Sequence, residues 1–367
     1  MNIDYQLLSS ELRRTAPLEQ CDSLGFGQQR TDHIFLMDYK DGQWIAPRIV
    51  PYQALQLAPG AMALHYGQSV FEGAKAFLHQ DNEIYTFRLD KNCQRLNVSA
   101  SILSMPSVPE DMQMSAIHAL LDVERLWMPR ANGASMYIRP FLFATEDNLS
   151  VRASNSYTYA VMLSPSGSYY PKGMTTSLKL LISNTYHRAV SGGTGAAKAA
   201  GNYAASLRAQ KQAASFSADQ VLYLDASNTY LEEVGAMNHF HITKSGHLVI
   251  PEFTDTILKS ITSESILALA ARLSEELGLK PIQQKIALTD FLDDIKSGEI
   301  IEAGGFGTAA VTASVGHYIL ENGEHYTVGN GEIGKLTLAL HQFYSDMQQG
   351  RIKAPSGWLQ KVATNAL

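Results

Sequence analysis

A lysine set among small residues constrains this chain more than any other feature. Residues 191–206 read SGGTGAAKAAGNYAAS, with Lys198 as the one charged residue and glycines at 192, 193, 195 and 201. Small neighbours let a flat ligand lie against the backbone. They also leave a lysine tip short of water, which lowers its pKa and exposes the amine as a nucleophile. The plain alternative is a glycine-rich loop entering an Ala-rich helix. A phosphate-binding P-loop fails on spacing, because Ala197 and Ala199 stand where glycine and Ser or Thr would flank the lysine.

Composition narrows the class around that lysine. The chain has 367 residues, 45% hydrophobic and 17% charged, which gives room for two domains with cores of their own. Its net charge of −6 carries no basic run, which argues against a nucleic-acid partner. It opens on no apolar leader and contains no membrane-length apolar stretch, so a cytoplasmic protein is expected. The two cysteines, Cys21 and Cys93, form no disulfide or metal framework.

Strand-like apolar runs occur at 34–39, 84–87, 137–144 and 157–163, and helical patterns at 89–103 and 112–127. The alternation predicts a small α/β domain over 1–163. The stretch SPSGSYYPKG, with two prolines and two glycines, predicts a linker over 164–174. A larger domain over 175–367 would then carry Lys198. Within it 178–183 and 221–224 read as strands, and the segment beyond Tyr203 to 216 as helix. Residues 238–250 read as a hairpin turning at Ser245-Gly246, and 311–328 as one around Asn322-Gly323. Helical periodicity over 261–277 stops at Gly278, and a last helix is expected over 332–349.

Several patterns compete for the chemistry. Gly329, Gly331 and Gly334 match a dinucleotide fingerprint in spacing, but too little chain follows for the rest of that fold. His239 and His241 alternate as two metal ligands would on a strand, yet no further ligand cluster accompanies them, so packing is the better reading. The acidic pair Glu232-Glu233 precedes a turn into a strand, where a carboxylate is usually a solvated end. Beside a lysine in a glycine setting, it suggests an acid that keeps a ring nitrogen protonated. Arg95, and backbone N–H groups of Gly307-Thr308-Ala309, fit an anionic group.

Together these segments resemble a family. LHYGQSVFEGAKAF (64–77), MYIRP (136–140), GTGAAKAAGNYAAS, EVGAMNHF (233–240), TDTIL (254–258) and GTAA (307–310) are similar, in order and spacing, to branched-chain amino acid aminotransferases. These are pyridoxal-phosphate enzymes of fold-type IV. The resemblance implies a two-domain α/β (α+β), D-amino acid aminotransferase-like fold with pyridoxal 5'-phosphate in the interdomain cleft. The implied reaction transfers the amino group of leucine, isoleucine or valine to 2-oxoglutarate.

Residue roles follow from the same resemblance. Lys198 would join the cofactor as an imine and shuttle the proton. Glu233 would meet the pyridine nitrogen and Tyr203 the ring oxygen, while Arg95, Thr308 and amides near Ile257 hold the phosphate. Tyr137 and the amide of Ala309 would face the α-carboxylate, and Arg139 the second carboxylate of glutamate. Phe26, Tyr66 and Phe71 would line an apolar pocket. Leu149 and Val151 would reach into a neighbouring subunit's site, which implies a homodimer. The chain departs from the family at Ala236, Lys259-Ser260 and Phe306, where the phosphate loop and pocket are at stake. D-amino acid aminotransferase, aminodeoxychorismate lyase and a non-catalytic phosphate-ligand-binding protein are the competing readings. The MYIRP and VFEG segments favour the branched-chain group.

Overall fold

The computed structural model describes residues 1–16, 24–167 and 174–364, so Cys21 and most of the expected linker lie outside the described residues. The chain divides into two compact units. One comprises Met1–Pro171, Ala197–Ala200 and Asp346–Leu367, the other Lys172–Ala196 and Gly201–Ser345. This differs from the sequence expectation at two places. The short segment bearing Lys198 groups with the first unit because Ala199 bridges to Val70. The C-terminal tail does so because its strand Leu359–Lys361 pairs antiparallel with Ile84–Phe87.

The first unit is built on one sheet. Its strands are β1 (Asp4–Tyr5), β2 (His33–Lys40), β3 (Gln43–Pro51), β4 (Ser69–Phe71), β5 (Ala74–Leu78), β6 (Ile84–Phe87), β7 (Ser135–Ala144) and β8 (Tyr157–Ser166). They run in the order β1-β3-β2-β8-β7-β5-β6 to the C-terminal strand, with β4 on β7. Alternation along β7 decides what each face does. Met136, Ile138, Leu142 and Ala144 join the core with Leu89, Leu96, Ile117 and Leu120 from the helices Leu89–Ile102 and Glu110–Val123. Tyr137, Arg139 and Phe141 alternate with them on the opposite face. Cys93 is buried in that core, and burial pushes its thiol pKa up. Ser164 to Ser166, expected in the linker, complete β8 instead, paired with Ser135 to Tyr137.

The second unit also centres on a sheet. Its strands are β9 (Leu178–Ser183), β10 (Gln220–Leu224), β11 (Leu231–Val234), β12 (Met237–Thr243), β13 (His247–Pro251), β14 (Lys280–Gln284), β15 (Ile300–Gly307), β16 (Val311–Leu320) and β17 (His325–Thr327). Their order is β11-β10-β9-β16-β15-β12-β13-β14, and a further β11–β12 pairing closes six of them into a ring. Ala209 and Ala213 of the helix Ala200–Ser215 pack on Leu181, Val221 and Tyr223.

The helix expected over 261–277 is two, Ile261–Ala268 and Ala270–Leu277. The Ser265 hydroxyl donates to the Ile261 carbonyl at 2.7 Å, a back-bond that bends helices. Ser260, one of the departures from the family pattern, caps the first of them by accepting from the Ser263 N–H.

Candidate active site

In the first unit, Lys198 is fixed by its backbone before its side chain does anything. Its N–H donates to Ser99 Oγ at 2.8 Å, and its carbonyl accepts from the Phe71 N–H at 3.1 Å. The amine stands 4.8 Å from the centre of the Phe71 ring, and the Arg139 guanidinium 4.9 Å from that same centre. Arg139 donates to the Tyr137 hydroxyl at 3.3 Å, and Phe26 meets the Tyr137 ring edge-on at 4.9 Å. The Tyr137 hydroxyl lies so close to Gly73 that a Cβ there would be 2.0 Å from it, so a larger residue would force the tyrosine ring to shift.

Electrostatics prepare the amine. Lys198 keeps some solvent exposure as a residue, but burial of its amine brings the pKa down to about 8. The Arg95 and Arg139 charges push the same way, against Glu72 and Tyr137. Glu72 is buried and saturated. Its oxygens accept from Arg95 Nε at 2.6 Å, Arg95 Nη2 at 2.9 Å, Asn92 at 2.7 Å and the Gly73 N–H at 3.0 Å. Burial works to raise the Glu72 pKa, but the charge and hydrogen bonding of Arg95 outweigh it and hold the carboxyl below its ordinary value.

Glu233 of β11 stands opposite Asn238 of β12, where the ring of strands closes. Its Oε1 accepts from the Leu258 N–H at 2.8 Å and from Asn238 at 3.2 Å. Its Oε2 faces Arg188 Nε at 3.0 Å, in an ion pair 7% and 4% exposed, although that Nε has no aligned hydrogen bond. Arg188 also donates to the carbonyls of Gly195, at 2.9 Å, and Thr256. A Cβ on Gly195 would lie 2.7 Å from the Thr256 backbone, so glycine is required for the two loops to meet. Ser191 and Gly192 donate to Asp255 and lace the same loops.

The neighbouring Glu232 behaves differently. It accepts from the Thr256 hydroxyl, its Oε2 has no hydrogen-bond partner among the described residues, and burial raises its pKa.

The remaining expected residues are placed as follows. Tyr203 is half-buried in the first turn of the helix Ala200–Ser215. Ile257 is buried in the turn 255–257, its N–H donating weakly to the Thr254 carbonyl at 3.4 Å. Thr308 and Ala309 form the turn between β15 and β16, which leads into Val311 at φ +66°. A β-branched residue there is strained, as backbones at functional turns often are. The Tyr66 hydroxyl donates to the Leu149 carbonyl, and Leu149 and Val151 are 69% and 85% exposed. Phe306 is buried, stacked on Phe240 at 4.2 Å.

The competing patterns find structural uses. His239 and His241 sit 3.3 Å apart against Phe291, and burial lowers the pKa of both, His241 to about 4. Among the described residues no group of three or more His, Cys, Asp or Glu could hold a metal ion. The helix following Gly329, Gly331 and Gly334 has its N-terminal amides, Leu336 and Thr337, bound to the Glu302 carboxylate. Sequence reasoning gave no role to Glu72, Asn92, Arg188 or Asn238. Glu72 was within reach, lying inside the quoted VFEG segment.

Taken unit by unit, these residues suit a phosphorylated pyridine aldehyde: the first unit offers an amine whose pKa burial brings to about 8 and a buried arginine, and the second a carboxylate held by N–H donors.

The model of the amino-transferase class IV family matches residues 69–296. A branched-chain-amino-acid transaminase 1 of Bacillus subtilis (strain 168) is 43% identical over 93% of this chain and 94% of its own. A second from that organism, branched-chain-amino-acid aminotransferase 2, is 41% identical over 98% of each. Among solved structures, the Escherichia coli branched-chain amino acid aminotransferase has a TM-score of 0.72 at 26% identity, over 91% of this chain and 100% of the other. The branched-chain amino acid aminotransferase from Thermobaculum terrenum, solved in its PLP-form, shares the fold at 22% identity. Its TM-score is 0.71, over 92% of this chain and 100% of that one.

Proposed function

The chain belongs to the branched-chain aminotransferases of class IV, and on that premise we propose that it interconverts branched-chain amino acids and their 2-oxo acids. Leucine, isoleucine or valine gives its amino group to 2-oxoglutarate, with pyridoxal 5'-phosphate as cofactor. The observation that carries the residue assignment is the Lys198 amine, pinned through its own backbone to Phe71 and Ser99 with its pKa brought to about 8.

When bound, pyridoxal phosphate supplies an electron sink that lets a substrate Cα–H bond break. Lys198 Nζ is the atom assigned to take that proton and return it, and a pKa near the working pH suits both directions. Glu233 presents a fixed carboxylate to the ring nitrogen. Its geometry is maintained by the Leu258 N–H, Asn238 and Arg188. Arg95 spends Nε and Nη2 on Glu72, so the guanidinium is held in place to meet the phosphate, together with the Thr308 turn and amides near Ile257. Tyr203 is assigned to the ring oxygen. Tyr137 and the Ala309 amide take the α-carboxylate. Arg139, stacked on Phe71, receives a side-chain carboxylate, and Phe26, Tyr66 and Phe71 receive an apolar side chain.

A homodimer is the working unit in this reading, and the exposure of Leu149 and Val151 on one loop supports it. No helix among the described residues is long and apolar enough to cross a membrane. A cytoplasmic location goes with the reading.

Turnover tests the assignment. Leucine with 2-oxoglutarate should give glutamate, with D-alanine and aminodeoxychorismate unconverted. Conversion of D-alanine but not leucine, or no visible cofactor band after pyridoxal phosphate is added, would defeat it.

A further inference from the structure

We propose that Glu232 is a positioning residue, which through the Thr256 hydroxyl sets the turn carrying Ile257, whose amides are assigned to the cofactor's phosphate. The proposal rests on the reaction assigned above. Glu232 and Glu233 are consecutive on β11, and consecutive strand residues point to opposite faces. Both carboxylates nevertheless end on one short stretch, residues 254–258. Glu233 holds it by the Leu258 N–H at 2.8 Å, and Glu232 by the hydroxyl of Thr256, itself 7% exposed. Only Glu233 has an assigned part in the chemistry.

Proton accounting shows what the Glu232 bond determines. A hydroxyl has one proton to give. Thr256 gives its proton to Glu232, so in the 2.7 Å contact between the two threonine hydroxyls Thr254 is the donor. The Thr256 N–H reaches back to Thr254 Oγ at 3.4 Å, and the Ile257 N–H to the Thr254 carbonyl at 3.4 Å. Both amide bonds are long, so neither holds the turn firmly. Arg188 meanwhile donates to the Thr256 carbonyl. Thr256 is thus gripped at its side chain by Glu232 and at its carbonyl by Arg188, one residue before the Ile257 amide.

A buried carboxyl is a costly way to hold a threonine. Glu232 is 3% exposed, its Oε2 has no hydrogen-bond partner among the described residues, and burial raises its pKa. Burying a carboxyl with one oxygen unsatisfied opposes folding. An apolar residue of like size would avoid that cost and lose one thing, the acceptor that orients Thr256. Stability alone therefore does not account for Glu232, whereas the placing of the turn does. A carboxyl offers an acceptor oxygen whether ionised or protonated, so the turn requires an oxygen at this point rather than a charge.

Titration of the full-length protein with pyridoxal phosphate and with pyridoxal, read from the visible cofactor band, tests this, because pyridoxal lacks the phosphate. Glu232→Ala should weaken pyridoxal phosphate about tenfold and leave pyridoxal within about twofold. Glu232→Gln keeps an acceptor oxygen and should restore pyridoxal phosphate to within about twofold of wild type. Thr256→Val should match Glu232→Ala, and the double variant should bind no more weakly than either single one. Equal weakening of both aldehydes, no weakening of pyridoxal phosphate, no rescue by glutamine, or additive losses in the double variant overturns the role of Glu232. Should Glu232→Ala fold poorly, Thr256→Val, with Thr256→Ser as its rescue, decides by the same criteria. A wild-type protein that shows no band with pyridoxal phosphate sinks the reaction assignment and this proposal with it. A wild-type band with an indifferent Glu232→Ala variant sinks the positioning role alone.

Discussion

Each unit of this protein contains a carboxylate–arginine pair with both side chains largely buried, Glu72–Arg95 in one and Glu233–Arg188 in the other, and the two differ in how the carboxylate is held. Glu72 and Arg95 form a bidentate pair, and Asn92 and the Gly73 N–H complete the Glu72 shell. The Leu258 N–H and Asn238 instead donate to one oxygen of Glu233, and the other faces Arg188. That arginine divides itself among the carboxylate and the carbonyls of Gly195 and Thr256. A saturated carboxylate can only hold its neighbours in place. In the reading proposed above, Glu72 is architecture around Lys198 and Glu233 serves the chemistry.

Substitution of each acid is the sharpest way to break that contrast. Glu233→Gln keeps the shape and removes the charge, and should lower kcat about 10²- to 10³-fold. It also strands the buried Arg188 charge, so a stability loss of about 3 kcal/mol should accompany it. Glu72→Gln should cost stability in the same way but lower kcat less. It strands the buried Arg95 charge, at a cost of about 3 kcal/mol or more in denaturant unfolding. Equal kcat losses would erase the distinction.

The pH dependence of cofactor capture sharpens it further, since Glu72 is the acid whose charge acts on Lys198. The Lys198 pKa is depressed to about 8 from the ordinary lysine value of 10.5. Below about 8 the amine is protonated and inert, and above it the neutral nucleophile predominates. Loading of pyridoxal phosphate into apoprotein, followed by absorbance, should accelerate about fivefold from pH 7 to 8 and level off above pH 9. The same depression means that burying this lysine opposes folding fully below about pH 8. The native state regains that stability as pH rises toward 10.5. A flat loading rate across pH 6–9 would show that the amine is not so tuned.

Ser260→Ala probes the second pair from a distance. Ser260 caps the helix that carries Ser263, Ser263 donates to Asn238, and Asn238 donates to Glu233. Loss of the cap should cost about 1 kcal/mol of stability. A small loss of kcat should accompany it, and full activity at that stability loss would show the relay is not felt at Glu233.

Much of this was legible in sequence for physical reasons that can be named. Asn322-Gly323 and Ser245-Gly246 fixed their hairpins because such turns admit the left-handed backbone, and Gly246 and Gly323 have φ of +81° and +88°. Lys198 stood out because no other charge shares its segment. Arg188 did not, because nothing local in YHRAV distinguishes it. Its meaning comes from carbonyls 7 and 68 residues away and a carboxylate on another strand. The return of Ala197–Ala200 to the first unit was likewise a long-range pairing, with Val70, that no local pattern announces. The departures at Ser260 and Phe306 acquired roles, a helix cap and a ring stack, that depend on partners read only in three dimensions.

Among the described residues, two lysines have pKa values brought to about 8 by burial, Lys198 and Lys75, and one of them, Lys198, is the expected attachment point. Borohydride reduction of the holoenzyme, followed by peptide mass mapping, fixes the cofactor where it is bound. The phosphopyridoxyl mass should fall on the peptide containing Lys198, with Lys75 unmodified. Label on Lys75, or none at Lys198, would contradict the central assignment directly.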